Sequence, residues 1–425
     1  MAKRKNILVI TYWSYKEALI QAYTLPYLRI IYNHLPQGSI IYLVTFEQAK
    51  QKLTPNEKAQ VTARLRLQGI KLITLTYSKF SFLSLIKGFF YLLYLVAFIF
   101  LKKTNYIHAW CTPAGSIGYI LSKITGKKLI IDSYEPHADA MIENNTWKRE
   151  SRQYKLLFNL EKRLTRHANI IISATQSMYV YAKERYGHAI ENFYVKPACV
   201  DSSFFAPKKR KNEELLRQLN LNENVTCVYA GKFGGIYLSK EVFDFFKTAQ
   251  EYWNGKFKAL VLTNHPKAQL YEWAAAAGFD HNHLIVKFVS HDEIPEYMGL
   301  GDFAITPVKP IPSKRYCTPI KDGEYWALGL PVVITKNISD DSDLISANEI
   351  GYVLNELNIE NYLNACKKID QLLQNAEKDG LQDKIRSIAY KYRSYSIAES
   401  VYRSIYSDEL TPTQENTGTP AGMIS

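Results

Sequence analysis

The sequence predicts two doubly wound α/β domains, and three observations carry the prediction. The chain has 425 residues, enough for two domains of ordinary size, each with its own core. In the first half, short apolar runs alternate with helix-compatible stretches, as a parallel sheet with crossover helices requires. From Val225 onward the same alternation begins again.

The first series of strand candidates runs Ile7 to Ile10, Ile40 to Val44, Lys71 to Leu75, Tyr106 to Ala109, Leu129 to Ile131 and Asn169 to Ser173. The second runs Val225 to Ala230, Lys258 to Leu262, Leu284 to Phe288, Phe303 to Pro307 and Pro331 to Ile334. Between them Val195-Lys-Pro-Ala-Cys-Val-Asp201 leads into a basic, helix-prone stretch, so residues 1–200 and 223–384 are expected as domains and 201–222 as the linker. Ile385 to Tyr406 is aromatic-rich and helix-compatible, and residues 408–425, rich in Thr, Pro, Gly and Ser, read as a disordered tail.

A hydrophobic fraction of 47% with 22% charged residues is that of a folded globular protein and excludes disorder for most of the chain. The formal net charge of +13 favours an anionic partner: nucleic acid, an acidic membrane, or phosphorylated and lipid-linked substrates. No nucleic-acid-binding module is visible, and the runs Lys3 to Lys5 and Lys208 to Lys211 fall at a terminus and in the linker. Membrane and phosphate therefore rank above nucleic acid. Five scattered cysteines without a Cys-x-x-Cys pair suit a reducing cytoplasm. The opening Met-Ala-Lys-Arg-Lys-Asn runs directly into a strand with no signal-peptide core.

Leu83 to Leu101, followed by Lys102 and Lys103, is the most lipid-like segment. As a helix it would be about 28 Å long, near the thickness of a bilayer core. Spanning conflicts with Lys87 and would separate the Tyr106 strand from the Ile7 strand of the same sheet. Two placements are preferred to a spanning helix: a helix on the first domain with an apolar and basic face on the membrane, or a buried core helix.

Thr318 to Ile334 describes a short helix ending in a buried strand. Thr318 suits the N-cap and Pro319 the first helical position, which leaves backbone N–H groups and the positive dipole end facing outward as an anion site. Lys321 adds charge there, and Glu324 sits about one turn inside, an acceptor-only carboxylate. Gly329 ends the helix and Pro331 blocks its continuation into Val332, Val333 and Ile334. The plainer reading makes Lys321 and Glu324 a surface i,i+3 ion pair worth about 0.2–0.5 kcal/mol.

Pro319, Lys321, Glu324, Tyr325, Ala327, Gly329, Pro331 and Val332 together resemble the Pro-x-Lys-x-x-Glu-Tyr-x-Ala-x-Gly-x-Pro-Val motif of retaining glycosyltransferases with the GT-B architecture. The linker stretch resembles the interdomain Pro-Asn-Gly-Val-Asp of the same family, with Ala198 and Cys199 in place of Asn-Gly. The resemblance covers most of residues 1–407 and implies two Rossmann-like domains facing a cleft. It further implies an N-terminal acceptor side, a C-terminal nucleotide-sugar side, and a last helix at about 385–407 that packs back on the first domain.

Gly231-Lys232-Phe233-Gly234-Gly235 follows a strand and precedes a helix, so its backbone can approach a pyrophosphate that Lys232 would neutralise. Taken alone it is equally a tight turn needing positive φ. In the resembling family this loop directs an Arg or Lys, and a Lys several residues later, at the donor phosphates; Lys232 matches the first and Lys240 the second. Val289, opening Val289-Ser-His-Asp-Glu-Ile-Pro295, matches the loop beside the nucleotide base, while Ser290 or Asp292 caps the next helix. Lys314 and Arg315 either reach phosphate or sit on a solvated loop. Asp280-His-Asn-His283 reads as a polar loop, with no third metal ligand at a supporting spacing.

Many relatives carry two glutamates eight positions apart, the earlier contacting the sugar and the later the ribose. Glu324 matches the later; Tyr316 stands at the earlier, so sugar recognition does not carry over. Leu129 to Asp139 resembles a Tyr-Asp-x-His-Glu strand end: Asp132 and Glu135 match, Tyr134 replaces the His, and His137 follows Glu135 by two residues. Glu135 and His137 are the candidate catalytic residues, at the face where open α/β sheets bind ligands.

The resemblance thus implies a metal-independent, cofactor-free retaining glycosyltransferase. It would take a UDP- or GDP-sugar through Gly231, Lys232, Lys240, Val289, Thr318, Lys321 and Glu324, and pass the sugar to a glycan or lipid-linked acceptor. With the charge and the 83–101 segment, it places polysaccharide synthesis peripherally on an anionic inner membrane face, without nucleic acid. A nucleotide-sugar epimerase and a non-catalytic membrane-associated scaffold are the alternatives.

Overall fold

The computed structural model describes residues 3–78 and 81–407; the tail expected at 408–425 lies outside them. Seven parallel strands make the first sheet: β1 (Asn6–Ile10), β2 (Ile41–Glu47), β3 (Ile70–Thr76), β4 (Thr104–Trp110), β5 (Lys128–Tyr134), β6 (Ile170–Ser173) and β7 (Phe193–Val195). Their order is β3-β2-β1-β4-β5-β6-β7. The second sheet comprises β8 (Val225–Ala230), β9 (Phe257–Leu262), β10 (Leu284–Lys287), β11 (Phe303–Thr306), β12 (Val332–Thr335) and β13 (Gly351–Leu354), in the order β10-β9-β8-β11-β12-β13.

Both orders start in the middle and wind outward in two directions, the doubly wound pattern expected. Every strand anticipated is present. β7 and β13 are additions: three and four residues at sheet edges are too short to show a period.

By contact density the chain divides into Met1–Ile131 with Ala398–Ser425, and Asp132–Ile397. In the first unit Ile7 to Ile10 and Ile41 to Val44 are buried on both faces, which is why these strands read as unbroken apolar runs. The Tyr395–Tyr406 helix closes on this unit through its aromatic residues. Tyr402 meets Tyr27 edge-on at 6.0 Å, and the Tyr406 hydroxyl lies 2.6 Å from His108 Nδ1.

The Phe82–Leu101 helix belongs to the same unit and buries only Leu95 and Ile99. Phe98 rests against Tyr42 at 4.9 Å, and Tyr91 accepts the Thr76 N–H. The fully buried placement is therefore corrected: a narrow stripe, with Tyr91, Leu92, Val96 and Phe98 half-buried beside it, seats the helix, and apolar side chains such as Phe89, Phe90, Leu93 and Leu101 are exposed.

In the second unit, β8 shows why two cores form. Val228 and Ala230 point into a cluster with Trp326, Leu328, Leu381 and Ile385. Cys227 and Tyr229 point the other way, among Phe243, Phe245 and Phe246. Alternate side chains of one strand thus serve helices on both faces.

Candidate functional site

The glycine-rich turn after β8 is fixed by two tyrosines. The Ala230 N–H donates to the Tyr325 hydroxyl at 2.9 Å, and the Tyr229 hydroxyl donates to the Lys232 carbonyl. A Cβ at Gly231 would lie 2.7 Å from the Tyr229 hydroxyl, so the turn needs glycine there. Gly234 and Gly235 take φ of 75° and 62°, which also fulfils the plain tight-turn reading. Lys232 is exposed, as is Lys240, the first residue of the uncapped Lys240–Tyr252 helix.

The motif helix spans Ile320–Ala327, starting one residue later than expected. Thr318 is not its cap, because the Thr318 hydroxyl already accepts the Ala198 N–H at 2.8 Å. Pro319, extended at ψ 118°, takes the cap position and offers no side-chain acceptor. Backbone N–H groups at that end are therefore left without a side-chain cap. Gly329, at φ 75°, ends the helix as anticipated.

Lys321 Nζ lies 2.6 Å from Glu324 Oε2, with the lysine side chain 33% exposed and the glutamate 9%. The ion pair of the plainer reading exists, but half of it is buried. Two residues before Glu324, Asp322 is fully buried and accepts from the Thr306 hydroxyl. Burial pushes its carboxyl well up, partly offset by that bond and by Arg393. Arg393 pairs with Asp341 and lies 5.4 Å over the Trp326 ring.

Glu135 lies beyond the end of β5 in the second unit, and its Oε2 accepts from the Cys317 thiol. Burial first, then the Glu135 charge, hold that thiol well up. His137 Nδ1 is 4.0 Å from Glu135 Oε1. The Ser313 N–H donates to Glu143 at 2.8 Å, and Tyr316 packs on Tyr181 at 5.0 Å. The structure therefore brings Glu135 and the 313–318 segment together. Lys314 and Arg315 do not occupy a solvated loop: Lys314 is buried, and Arg315 is held by Asp343 at 2.6 Å and the Ser339 carbonyl at 2.7 Å.

Val289 is half-buried beside Phe288, which is 78% exposed. Ser290 forms the capping box with Glu293. The Asp280–His283 stretch is a polar turn, with Asp280 accepting the Asn282 N–H and His283 Nδ1 2.8 Å from the Phe257 carbonyl.

Three residues escaped the sequence reading. Asp322 lies inside the motif at a position the motif leaves unspecified, and Cys317 directly precedes Thr318. Glu161 lies outside it: fully buried, it accepts the Ala138 N–H at 2.9 Å and the Tyr186 hydroxyl at 3.0 Å. It thereby anchors the backbone just after His137. Burial pushes its carboxyl up to about 8. The signal was present, since Glu161 shares a helical stripe with Tyr154, Leu164 and Thr165, where an apolar residue is expected.

No protein-family model matches the chain, and no curated protein matches it in sequence. Solved structures do match it over nearly their whole length. The chain is 15% identical to Anabaena HepE, solved in complex with UDP, with a TM-score of 0.69 over 94% of this chain and 99% of that one. A glycosyltransferase from Rickettsia africae gives 14% identity and a TM-score of 0.68 over 96% and 100%. A putative UDP-N-acetylglucosamine 2-epimerase from Listeria monocytogenes gives 16% and 0.58 over 94% and 96%. At such identities the match establishes the fold alone: two parallel-sheet Rossmann-like domains matching structures of the GT-B fold.

Proposed function

We propose that the chain is a glycosyltransferase that takes a UDP- or GDP-sugar and transfers the sugar, with retention of configuration, to a glycan or lipid-linked acceptor at the cytoplasmic membrane face. One observation carries the reading: Tyr325 ties the motif helix to the glycine-rich turn, so Lys321, Glu324 and the Gly231–Lys232 backbone belong to one rigid construction. Glu324 accepts hydrogen bonds from the ribose diol. Lys232, Lys240, Lys321 and the N-terminus of the Ile320–Ala327 helix hold the diphosphate and stabilise its charge as it departs, so no metal ion is required. Val289 and its neighbours border the base. Thr318 shapes the approach to the helix through its bond to Ala198, and Glu135 and His137 face the reacting sugar.

Calorimetry with UDP and a release assay with UDP-sugars test the proposal. Glu324→Gln is expected to weaken UDP binding about ten- to hundredfold, the worth of a hydrogen bond to a charged acceptor. Wild-type protein that binds neither UDP nor GDP would leave a scaffold role. A free epimer in place of a transferred glycoside would favour the epimerase reading that the Listeria structure represents.

A further inference from the structure

The positive charge of this protein is confined to one part of the chain. Residues 1–131 hold 18 Lys and Arg against 3 Glu, a balance of +15, whereas the whole chain carries +13. No carboxylate occurs between Glu57 and Asp132. Within that acid-free stretch lies the Phe82–Leu101 helix, about 30 Å long, whose outer face exposes Leu85, Phe89, Phe90, Leu93, Phe100 and Leu101 among others, at 49–77%. The Cys111–Thr125 helix packs beside it and adds exposed Ile120 and Ile124. An apolar surface this long exceeds the scattered exposure of ordinary surfaces.

At the helix C-terminus the apolar face meets a basic one. Asn6 donates to the Lys102 carbonyl at 2.8 Å, which ties the Lys102–Lys103 turn to the start of β1. There a hollow of about 380 Å³ is lined by Lys3, Arg4, Lys5, Lys127 and Lys128, with Asn105 and Tyr106. Lys5 Nζ is engaged by the Tyr406 carbonyl. All these cations gather at the N-terminal ends of β1, β4 and β5, opposite the strand ends that bind ligands in such folds.

We infer that this face is a docking surface for an anionic bilayer, with the Phe82–Leu101 helix lying in the headgroup layer and the basic hollow taking a phospholipid phosphate. The inference deepens the membrane-face part of the proposed function. An uncharged apolar partner would make no use of the cations, and a soluble anion would make no use of the helix; a bilayer carrying acidic headgroups uses both.

The test is flotation of the full chain with vesicles of phosphatidylcholine alone or containing phosphatidylglycerol, alongside UDP calorimetry on the same samples. Binding should require phosphatidylglycerol and fall with salt. Lys127→Glu with Lys128→Glu should weaken it at least about 25-fold, at about fivefold per basic side chain. Phe89→Ser with Phe90→Ser should weaken it also, with UDP binding unchanged in both variants. Equal binding to both vesicles, no binding to either, or resistance to alkaline carbonate extraction would overturn the inference. So would a dimer that buries this face in the absence of lipid. Vesicle binding without UDP binding would instead uphold the surface and sink the nucleotide-sugar reading.

Discussion

Two helices of this protein invert the usual relation between polarity and burial. The Phe82–Leu101 helix is nearly all apolar and buries two residues of twenty. The Ile320–Ala327 helix carries Lys, Asp and Glu in eight residues and buries six, both carboxylates included. Composition therefore did not decide which of them entered a core. The long helix attaches by one stripe to its sheet and to the Cys111–Thr125 helix beside it, and its outer face, with Phe89, Phe90 and Leu93, is exposed among the described residues. The short helix is enclosed because Trp326 and Tyr325 must reach beneath β8 and β12, and Asp322 and Glu324 are carried inward with them. On the readings proposed above, each inversion marks a surface that meets something other than the chain itself.

The sharpest way to break this comparison is to truncate a large side chain on each helix. Trp326→Ala should cost about 3–5 kcal/mol in urea unfolding, because it empties a fully enclosed site. A cost near that of a surface residue would mean the short helix is not part of the core.

Buried carboxylates give the next test. Glu161 holds its proton to about pH 8 in the folded chain, against 4.5 for an ordinary glutamate. The folded state therefore binds more protons across that window, and stability should decline as pH rises from about 4.5 to 8. The slope contributed by one group cannot exceed about 1.4 kcal/mol per pH unit. Glu161→Gln, which keeps an acceptor for Ala138, should flatten the decline; an unchanged profile would show that Glu161 is ionised throughout. Smallest of all, Phe89→Ala at a 58% exposed position should alter stability by no more than about 0.5 kcal/mol.

The same contrast explains what the sequence could and could not disclose. Strand positions were legible because buried parallel strands leave unbroken apolar runs, and even the bounds of β8 agree with the expectation. Gly329 was legible for a comparable local reason. Burial of the 82–101 helix was not, since an apolar segment looks alike whether it meets protein or lipid. The Thr318 cap failed because its hydroxyl is claimed by Ala198, 120 residues distant, and no local pattern announces that. Cys317 and Glu135 meet across 182 residues, so neither flanking sequence hints at the other.

Lys321 and Glu324 satisfy each other within the chain. On the proposed reading, a bound nucleotide draws them apart and offers each a replacement: negative charge for the ammonium, hydroxyl donors for the carboxylate. A nucleoside without phosphates would strand the lysine, and pyrophosphate without ribose would strand a largely enclosed carboxylate. On that reading the pair is a latch with two keys, and the fragments of the nucleotide should bind far more weakly in sum than the intact molecule.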